Sequence, residues 1–440
     1  MLRIQMIFLL LCVGFPSLAR AQKNGKSMPL QEAVFRALDK NHNIIIARQQ
    51  VQISQMAQGA GNAGMLPQIG LNSGLTQSSN DTRQRFISGQ EVSQKGAESR
   101  NFNAGLALNW TIFDGLRMFA TYNRLEDQTE ISRYELKTQI ENTVSSVVLL
   151  YFGLLEQKEL IRAQEAAIRV SEERIRIASG KLEAGSSGKL ELLQARLDKN
   201  AKQSQIELME QQYIQLQSDL NILLGESPSQ SLIITDTVPL NYTIPFDSLR
   251  TISFYQNNTL RMMEKNLSLR EQELKESRSL YMPQIALNLG YGLNRVQNEV
   301  GFLLFNNTVS FSGGITASWI LYDGSRIRKL NQASLLQLAR QKTAFEQARL
   351  QVEGQLMIAY EQMLISKIQV QREKENFALA EEALNIALER LRVGSSTPLE
   401  LMSVQQAYAD AAARLASSRF GLSRSVNNLM LLDGSLVMAD

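Results

Sequence analysis

The chain has 440 residues, 44% of them hydrophobic, with only 8 Pro and 26 Gly, and its 46 Lys and Arg face 43 Asp and Glu for a net charge of +3. So few helix breakers favour long uninterrupted helices over stacked compact domains. One His and one Cys exclude the usual His/Cys zinc sites and a Cys–His nucleophile pair, and the near-balance of charge excludes the basic footprint that nucleic acid requires.

Residues 1–21 read as a signal peptide. Arg3 precedes an apolar run from Met6 to Val13, too short to span a bilayer, and Ala19-Arg20-Ala21 forms an A-x-A cleavage site before Gln22. Cleavage after Ala21 leaves 419 residues of net charge +1 without Cys12, hence without disulfides. A lipid anchor on Cys12 is the rival reading, but Leu11 stands where such signals carry a small residue.

Residues 22–225 form a first repeat. His42, flanked by Asn41 and Asn43 with no Cys for company, reads as a surface or helix-end residue, not a ligand. Gly59-Ala60-Gly61-Asn62-Ala63-Gly64 matches G-x-G-x-x-G, but it follows a helix and opens into a strand, the reverse of the order that points a helix N-terminus at a phosphate. Strands are predicted at about 66–80 and 101–113. In the second, Phe102, Ala104, Leu106, Leu108, Trp110 and Ile112 alternate with Asn101, Asn103, Gly105, Ala107, Asn109 and Thr111. About eleven residues is the length a tilted strand needs to cross a bilayer. Asp114 and Gly115 make the strand-to-helix turn, with Asp114 predicted as an N-cap. A Pro-free helical hairpin then occupies 116–224, broken at a Gly/Ser turn, Ala184 to Gly188. Gly188-Lys189 is followed by Leu190 and lacks the spacing of a P-loop.

Residues 226–440 repeat the plan. Trp110-Thr111-Ile112-Phe113-Asp114-Gly115-Leu116-Arg117 is answered by Trp319-Ile320-Leu321-Tyr322-Asp323-Gly324-Ser325-Arg326 at an offset of 209, and Pro67-Gln68-Ile69 by Pro283-Gln284-Ile285 at 216. The offset therefore falls by seven between Ile69 and Trp110. Repeats of about 200 residues exceed solenoid periods and mark a duplicated domain. Strands are predicted at about 282–294 and 308–321, the turn at Asp323 and Gly324, and a second helical hairpin at 325–432 with its tip at Gly394 to Pro398. Met262-Met263 reads as packing, not a soft-metal site. Ile140, Val144, Val147, Tyr151 and Leu154, and Val352, Leu356, Ala359 and Met363, recur at coiled-coil seam spacing.

The Trp residues 110 and 319, with Phe113, Tyr281 and Tyr322, gather at the helix-side ends of the strands, and Phe102, Phe302, Phe305 and Phe311 toward the other ends, like the aromatic girdles of membrane barrels. The strands also suit a half-buried sheet of a soluble sandwich. Four strands cannot close a barrel; two copies would supply eight and three would supply twelve.

With these residues in view, the mature chain resembles the TolC-type outer-membrane efflux and secretion channels over essentially its whole length, with Leu-Pro-Gln and Phe-Asp-Gly at the strand starts and ends. The resemblance implies a mainly α fold with a membrane β-barrel, two tandem repeats of helix–strand–strand–long helix–helix, and a homotrimer. That trimer would form a 12-stranded barrel in the outer membrane of a Gram-negative cell and a long α-helical barrel through the periplasm. It implies a passive export duct, not an enzyme, without cofactor or metal, partnered by a periplasmic adaptor and an inner-membrane pump. Adaptor contacts would map to Lys181, Leu182, Gly185, Ser186 and Ser187, and to Arg390, Leu391, Gly394, Ser395 and Ser396. Glu191 and Glu400 match the acidic ring at the periplasmic aperture. Leu391 and Ser396 depart from the pattern, standing where some members carry Tyr and Arg that lock the closed tip. The competing readings are a soluble periplasmic coiled-coil adaptor and, third, an enzyme. Drugs, metals and polypeptides all stay open as cargo.

Overall fold

The computed structural model describes residues 26–185, 189–235, 245–393 and 395–436, so the signal-peptide reading of 1–21 lies outside the described residues. The first repeat supplies β1 (Lys26–Met28), α1 (Leu30–Lys40), α2 (His42–Ala57), β2 (Gln68–Arg85), β3 (Glu91–Phe113), α3 (Arg117–Glu183) and α4 (Lys189–Leu223). The second supplies β4 (Leu232–Ile234), α5 (Phe246–Gln256), α6 (Asn258–Ser279), β5 (Gln284–Asn298), β6 (Phe305–Ser318), α7 (Arg326–Arg392) and α8 (Pro398–Asp433).

Proline and asparagine punctuate both repeats alike. Pro29 and Pro245 stand in extended conformation ahead of α1 and α5. Asn41 caps α2 by accepting from Asn43 and Ile44 N–H, and Asn257 caps α6 by accepting from Leu260 N–H. The same two side chains donate to the carbonyls of Leu223 (2.9 Å) and Leu432 (3.0 Å), tying each short-helix pair to the end of its return helix. His42 is the exposed first residue of α2.

The strand-to-helix turns correct one expectation. The residues at the helix N-caps are Leu116 and Ser325, both left-handed (φ 69° and 70°) and neither capping with its side chain. Asp114 and Asp323 lie two residues earlier, yet their carboxylates accept from the N–H groups of Met118 and Ile327. They thus serve the free helix donors from outside the cap position. Arg117 and Arg326 pair with the same carboxylates at 3.4 and 3.5 Å.

Four strands form one antiparallel sheet in the order β2-β3-β5-β6. Each hairpin was expected; the pairing of β3 with β5, which welds the two hairpins from Ser99↔Asn298 to Phe113↔Ile285, was not. The strands also outrun the alternating stretches at the far end. β2 and β3 stay paired to Arg85↔Glu91, past an irregularity between Asn80 and Thr82. The far part of β3 carries no continuous apolar face, so periodicity does not detect it. β6 ends at Ser318, before Trp319.

Helices α3 and α7, 67 residues each, extend on the order of 100 Å. Their apolar seams are buried only where other elements cover them. Val147, Tyr151 and Leu154 pack with Leu220 of α4, with Leu224 just past its end, and with Met28, Ala33, Ala37, Leu232 and Ile234. The last five come from α1 and the parallel pair β1–β4, which form a belt across one face of the helices. Tyr151 donates its hydroxyl to Met28 O at 2.9 Å. In the second repeat Leu249 of α5 completes the belt against Leu356, Ala359, Met363, Leu422 and Leu429. Met263 packs beside Leu260, Ala348 and Val352, consistent with its structural reading.

Replacing Asp114 and Asp323 together by Ala is expected to lower stability by about 1 kcal/mol per site, the usual worth of a lost helix cap. Thermal unfolding of the double variant, with helix content checked by circular dichroism, tests this; an unchanged midpoint assigns the carboxylates no capping role.

Candidate functional site

Two places concentrate features that folding alone does not require: the outward face of the sheet and the free ends of the helical hairpins. On the sheet, cross-strand pairing puts Leu71 beside Leu106, Leu106 beside Tyr291 and Tyr291 beside Phe311. Ile69, Leu71, Leu75, Leu106, Phe311 and Ile315 are all exposed. The facing rows are Asn, Gly, Ser and Thr, with Asn109 opposite Asn288 and Gly105 opposite Gly292. Neither face is covered by any described element. From Phe102 to Ile112 the apolar face is about 24 Å tall for strands tilted near 45°, the height of a membrane-barrel band. No described helix is long and apolar enough to cross a membrane.

The Trp residues close the helix-side margin of this band by the same device in both repeats. Trp110 donates its indole N–H to Met65 O (2.9 Å) and Trp319 to Tyr281 O (3.0 Å), each carbonyl lying just before the first strand of its hairpin. An indole with an apolar body and a satisfied polar edge is suited to an interface.

At the other end, about 100 Å away along the rods, the tips close on themselves. Gly185 takes φ 69° and its N–H reaches Leu182 O, while Ala184 N–H reaches Gly180 O. Leu182 is half-buried, Gly185 is exposed, and Lys181 is engaged by neighbours. Ser186, Ser187 and Gly394 lie outside the described residues. In the second tip Arg390 donates to Glu400 Oε1 (2.9 Å) and to Ser395 O (3.2 Å), and Ser396 donates its hydroxyl to Glu400 Oε2 (2.7 Å). Thr397 caps α8 by accepting from Glu400 N–H. Glu400 is therefore charge-compensated inside its own turn, and Glu191, in the first turn of α4, also has a partner. Leu391 is withdrawn from the surface: it is 1% exposed, packed with Leu384, Ala387 and Leu401 against Val170 and Ile177 of α3.

Sequence reasoning missed the contacts that hold the two hairpins together. Arg392 of α7 meets Glu173 of α3 at 3.3 Å, and Glu173 also holds Arg176 at 2.7 Å. The hydrogen bond from Arg176, aided by the charges of Arg176 and Arg392, lowers the Glu173 carboxyl to about 2. Farther from the tip, Gln405 of α8 donates to Ala167 O (2.6 Å) and to Ser171 Oγ (3.0 Å), and Ser171 donates to Asp198 of α4 (2.9 Å). The only sequence signal was the Glu-x-x-Arg spacing of Glu173 and Arg176, which any solvated helix carries. Among the described residues, no three His, Cys, Asp or Glu side chains converge as metal ligands.

The comparisons with known proteins agree with this geometry. The family model described as outer membrane efflux protein matches residues 34–226 and 254–435. The pyoverdine export outer membrane protein OpmQ of Pseudomonas aeruginosa is 24% identical over 419 residues, 90% of this chain and 83% of that protein. The alignment with OpmQ of Pseudomonas putida spans 277 residues, 60% of this chain and 57% of the relative. The outer membrane efflux protein BepC of Brucella suis is 20% identical over 68% of this chain and 65% of its own length. Among solved structures, the outer-membrane channel OprN superposes with a TM-score of 0.77 at 15% identity, covering 92% of this chain and 89% of that one. The outer membrane protein VceC of Vibrio cholerae superposes at 0.76 and 15% identity, covering 92% and 96%.

The depressed Glu173 pKa sets the sign of a pH test. The contact contributes fully above the ordinary carboxylate range and is lost only as pH falls toward about 2. Hydrogen exchange at 385–392, corrected for intrinsic rates, is expected to stay protected from pH 7 down to 4, and Glu173→Gln to lose that protection already at pH 7. Equal protection in the variant would remove Glu173 from the tip's closure.

Proposed function

We propose, from the premise that this chain belongs to the outer membrane efflux protein family, that three copies close one passive export duct. The chain is an outer-membrane efflux channel. The trimer, its 12-stranded barrel and its tunnel through the periplasm are the assembly that the TolC-type resemblance implies. One observation carries the reading: the sheet ends in two free edges, β2 and β6, while its faces match a lipid band outside and a polar lining inside. Lipid cannot satisfy the backbone groups of an open edge, so the edges must meet other copies.

The joint between repeats supplies a template for the joint between copies. Within the chain Asn109 pairs with Asn288; carried over by the two repeat offsets, Ser318 of β6 would face Asn72 in β2 of the next copy. Gly115 supports the same construction. A Cβ there would lie 2.6 Å from Ser279 O and from Met282 Cβ, whereas at Gly324 nothing in its own chain lies within 4 Å. The repeat equivalents of Ser279 and Met282 are Ala63 and Leu66, and these are the residues that Gly324 would meet in the next copy.

In this reading the tips are where a periplasmic adaptor docks and an inner-membrane pump delivers cargo. Lys181, Leu182, Gly185, Ser186 and Ser187 form one contact surface, with Arg390, Leu391, Gly394, Ser395 and Ser396 forming the other and Leu391 supporting it from beneath. Glu191 and Glu400 ring the aperture, where Arg390 offsets the charge of Glu400. The duct performs no covalent chemistry. The names of the relatives, for pyoverdine export and for efflux, support export. A soluble adaptor would share the helical hairpins but has no use for a sheet with an uncovered apolar face.

Mass measurement in detergent is expected to give a trimer for the wild type and mainly monomer for Gly324→Phe; a stable wild-type monomer in plain buffer defeats the assembly. Ser187→Trp with Ser396→Trp is expected to abolish export while leaving trimer assembly and outer-membrane delivery intact. Export at wild-type level would return both tips to simple helix turns.

A further inference from the structure

Helix α8 has two opposed faces. Leu422, Val426 and Leu429 pack toward the belt, while Arg414, Ser417, Gly421, Arg424 and Asn428 line a groove of 840 Å³ on the opposite side, floored by α3 and walled by α7. The groove brings Arg372, Arg414 and Arg424 together with a single lining carboxylate, Glu373, which Arg414 holds at 3.1 Å. At its margin Ser417 donates to Glu156 (2.6 Å), so the balance stays positive even with that carboxylate counted. Arg424 stands over the Phe420 ring at 5.9 Å, and Arg372 has no acidic partner among the described residues. Asn427, 3% exposed, donates to Ser145 at 2.7 Å and keeps its amide oxygen unpaired.

The duplication supplies an internal control. At the offset of 209, Arg372, Glu373, Arg414 and Arg424 correspond to Ala163, Gln164, Gln205 and Gln215. The same scaffold is thus built in the first repeat with no charge at these four positions, so packing does not demand them. The guanidinium groups of Arg372 and Arg424, without an acidic partner among the described residues and beside side-chain amides and hydroxyls, match an oxyanion that also carries a hydroxyl group.

We propose that this groove is a binding site for hydroxylated organic anions, and that the cargo pausing there in transit is of this class. Its position inside the duct rests on the channel reading above together with the placing of the belt on the outer side of the helical ring. A trimer then holds three such sites and not six.

Citrate, a hydroxylated tricarboxylate, is the probe. Calorimetric titration of the full-length detergent-solubilised protein is expected to show one saturable citrate site per protomer and none for spermidine. Arg372→Gln with Arg424→Gln is expected to weaken citrate roughly tenfold or more, with thermal midpoint and detergent mass unchanged. Arg372→Ala alone gives a milder second variant if the double variant misfolds. Absent citrate saturation, undiminished binding in the variants, or equal binding of spermidine overturns the proposal. Detergent mass separates this proposal from the channel reading: citrate saturation by a protein that stays monomeric sustains the site and defeats the trimer, and a trimer without citrate saturation does the reverse.

Discussion

Unpaired peptide groups along two strand edges govern this molecule. Each N–H and C=O left open in hydrocarbon costs several kcal/mol, and β2 and β6 present such a row apiece. No rearrangement within one chain removes both, because four strands are too few to curl shut. On the proposed channel reading assembly is therefore part of folding for the sheet, and the helices would inherit its consequence: wherever the sheets of neighbouring copies join, the rods below are brought into a ring.

Duplication makes that requirement easy to meet. In the proposed assembly, a contact that works between the first and second repeat is used again, with the same shapes, between the second repeat and the first of the next copy. The paired devices, Trp110 and Trp319 on their carbonyls, Asn41 and Asn257 on their return helices, and Asp114 and Asp323 on Met118 and Ile327, keep the two halves superposable. Departures from superposition then stand out as local specialisation. The Arg390–Glu400 pair is matched in charge by Lys181 and Glu191 of the first tip, whereas the arginine groove has no charged counterpart in the first half, and the Glu173–Arg392 tie joins the two halves at positions whose repeat equivalents, Glu382 and Glu183, are both acidic.

Much of the architecture was legible because its periods are long. Alternation in 101–112 and the Pro-free runs around Tyr151 and Tyr360 fix strand and rod without reference to contacts, and Asp-Gly marks where one becomes the other. The belt was not legible: β1 and β4 are three residues each, far apart in sequence, and acquire meaning only through Tyr151 and Leu224. The weld of β3 to β5 was hidden for a related reason, since each hairpin is locally complete and nothing in its pattern names a neighbour. Asp114 was assigned a capping role from its place between strand and helix with Gly115 as the turn, but the left-handed Leu116 shifts the cap position beyond it. Ion pairs such as Glu173–Arg392 join residues 219 apart and leave no trace in spacing.

The equal length of α3 and α7 has a consequence for how this chain has changed over time. One residue added to either rod would advance its tip by about 1.5 Å and turn every later side chain by about 100°, spoiling each seam beyond the insertion. A length difference of seven residues between the repeats sits in the hairpins instead. Gln68↔Asn109 and Gln284↔Ser318 hold the bases in equivalent register, and the surplus emerges at the far turn, where extra chain projects into open space. Insertions and deletions are thereby sorted by geometry: the rods are fixed in number and vary by substitution, while growth and loss are tolerated at the rim that faces the surroundings.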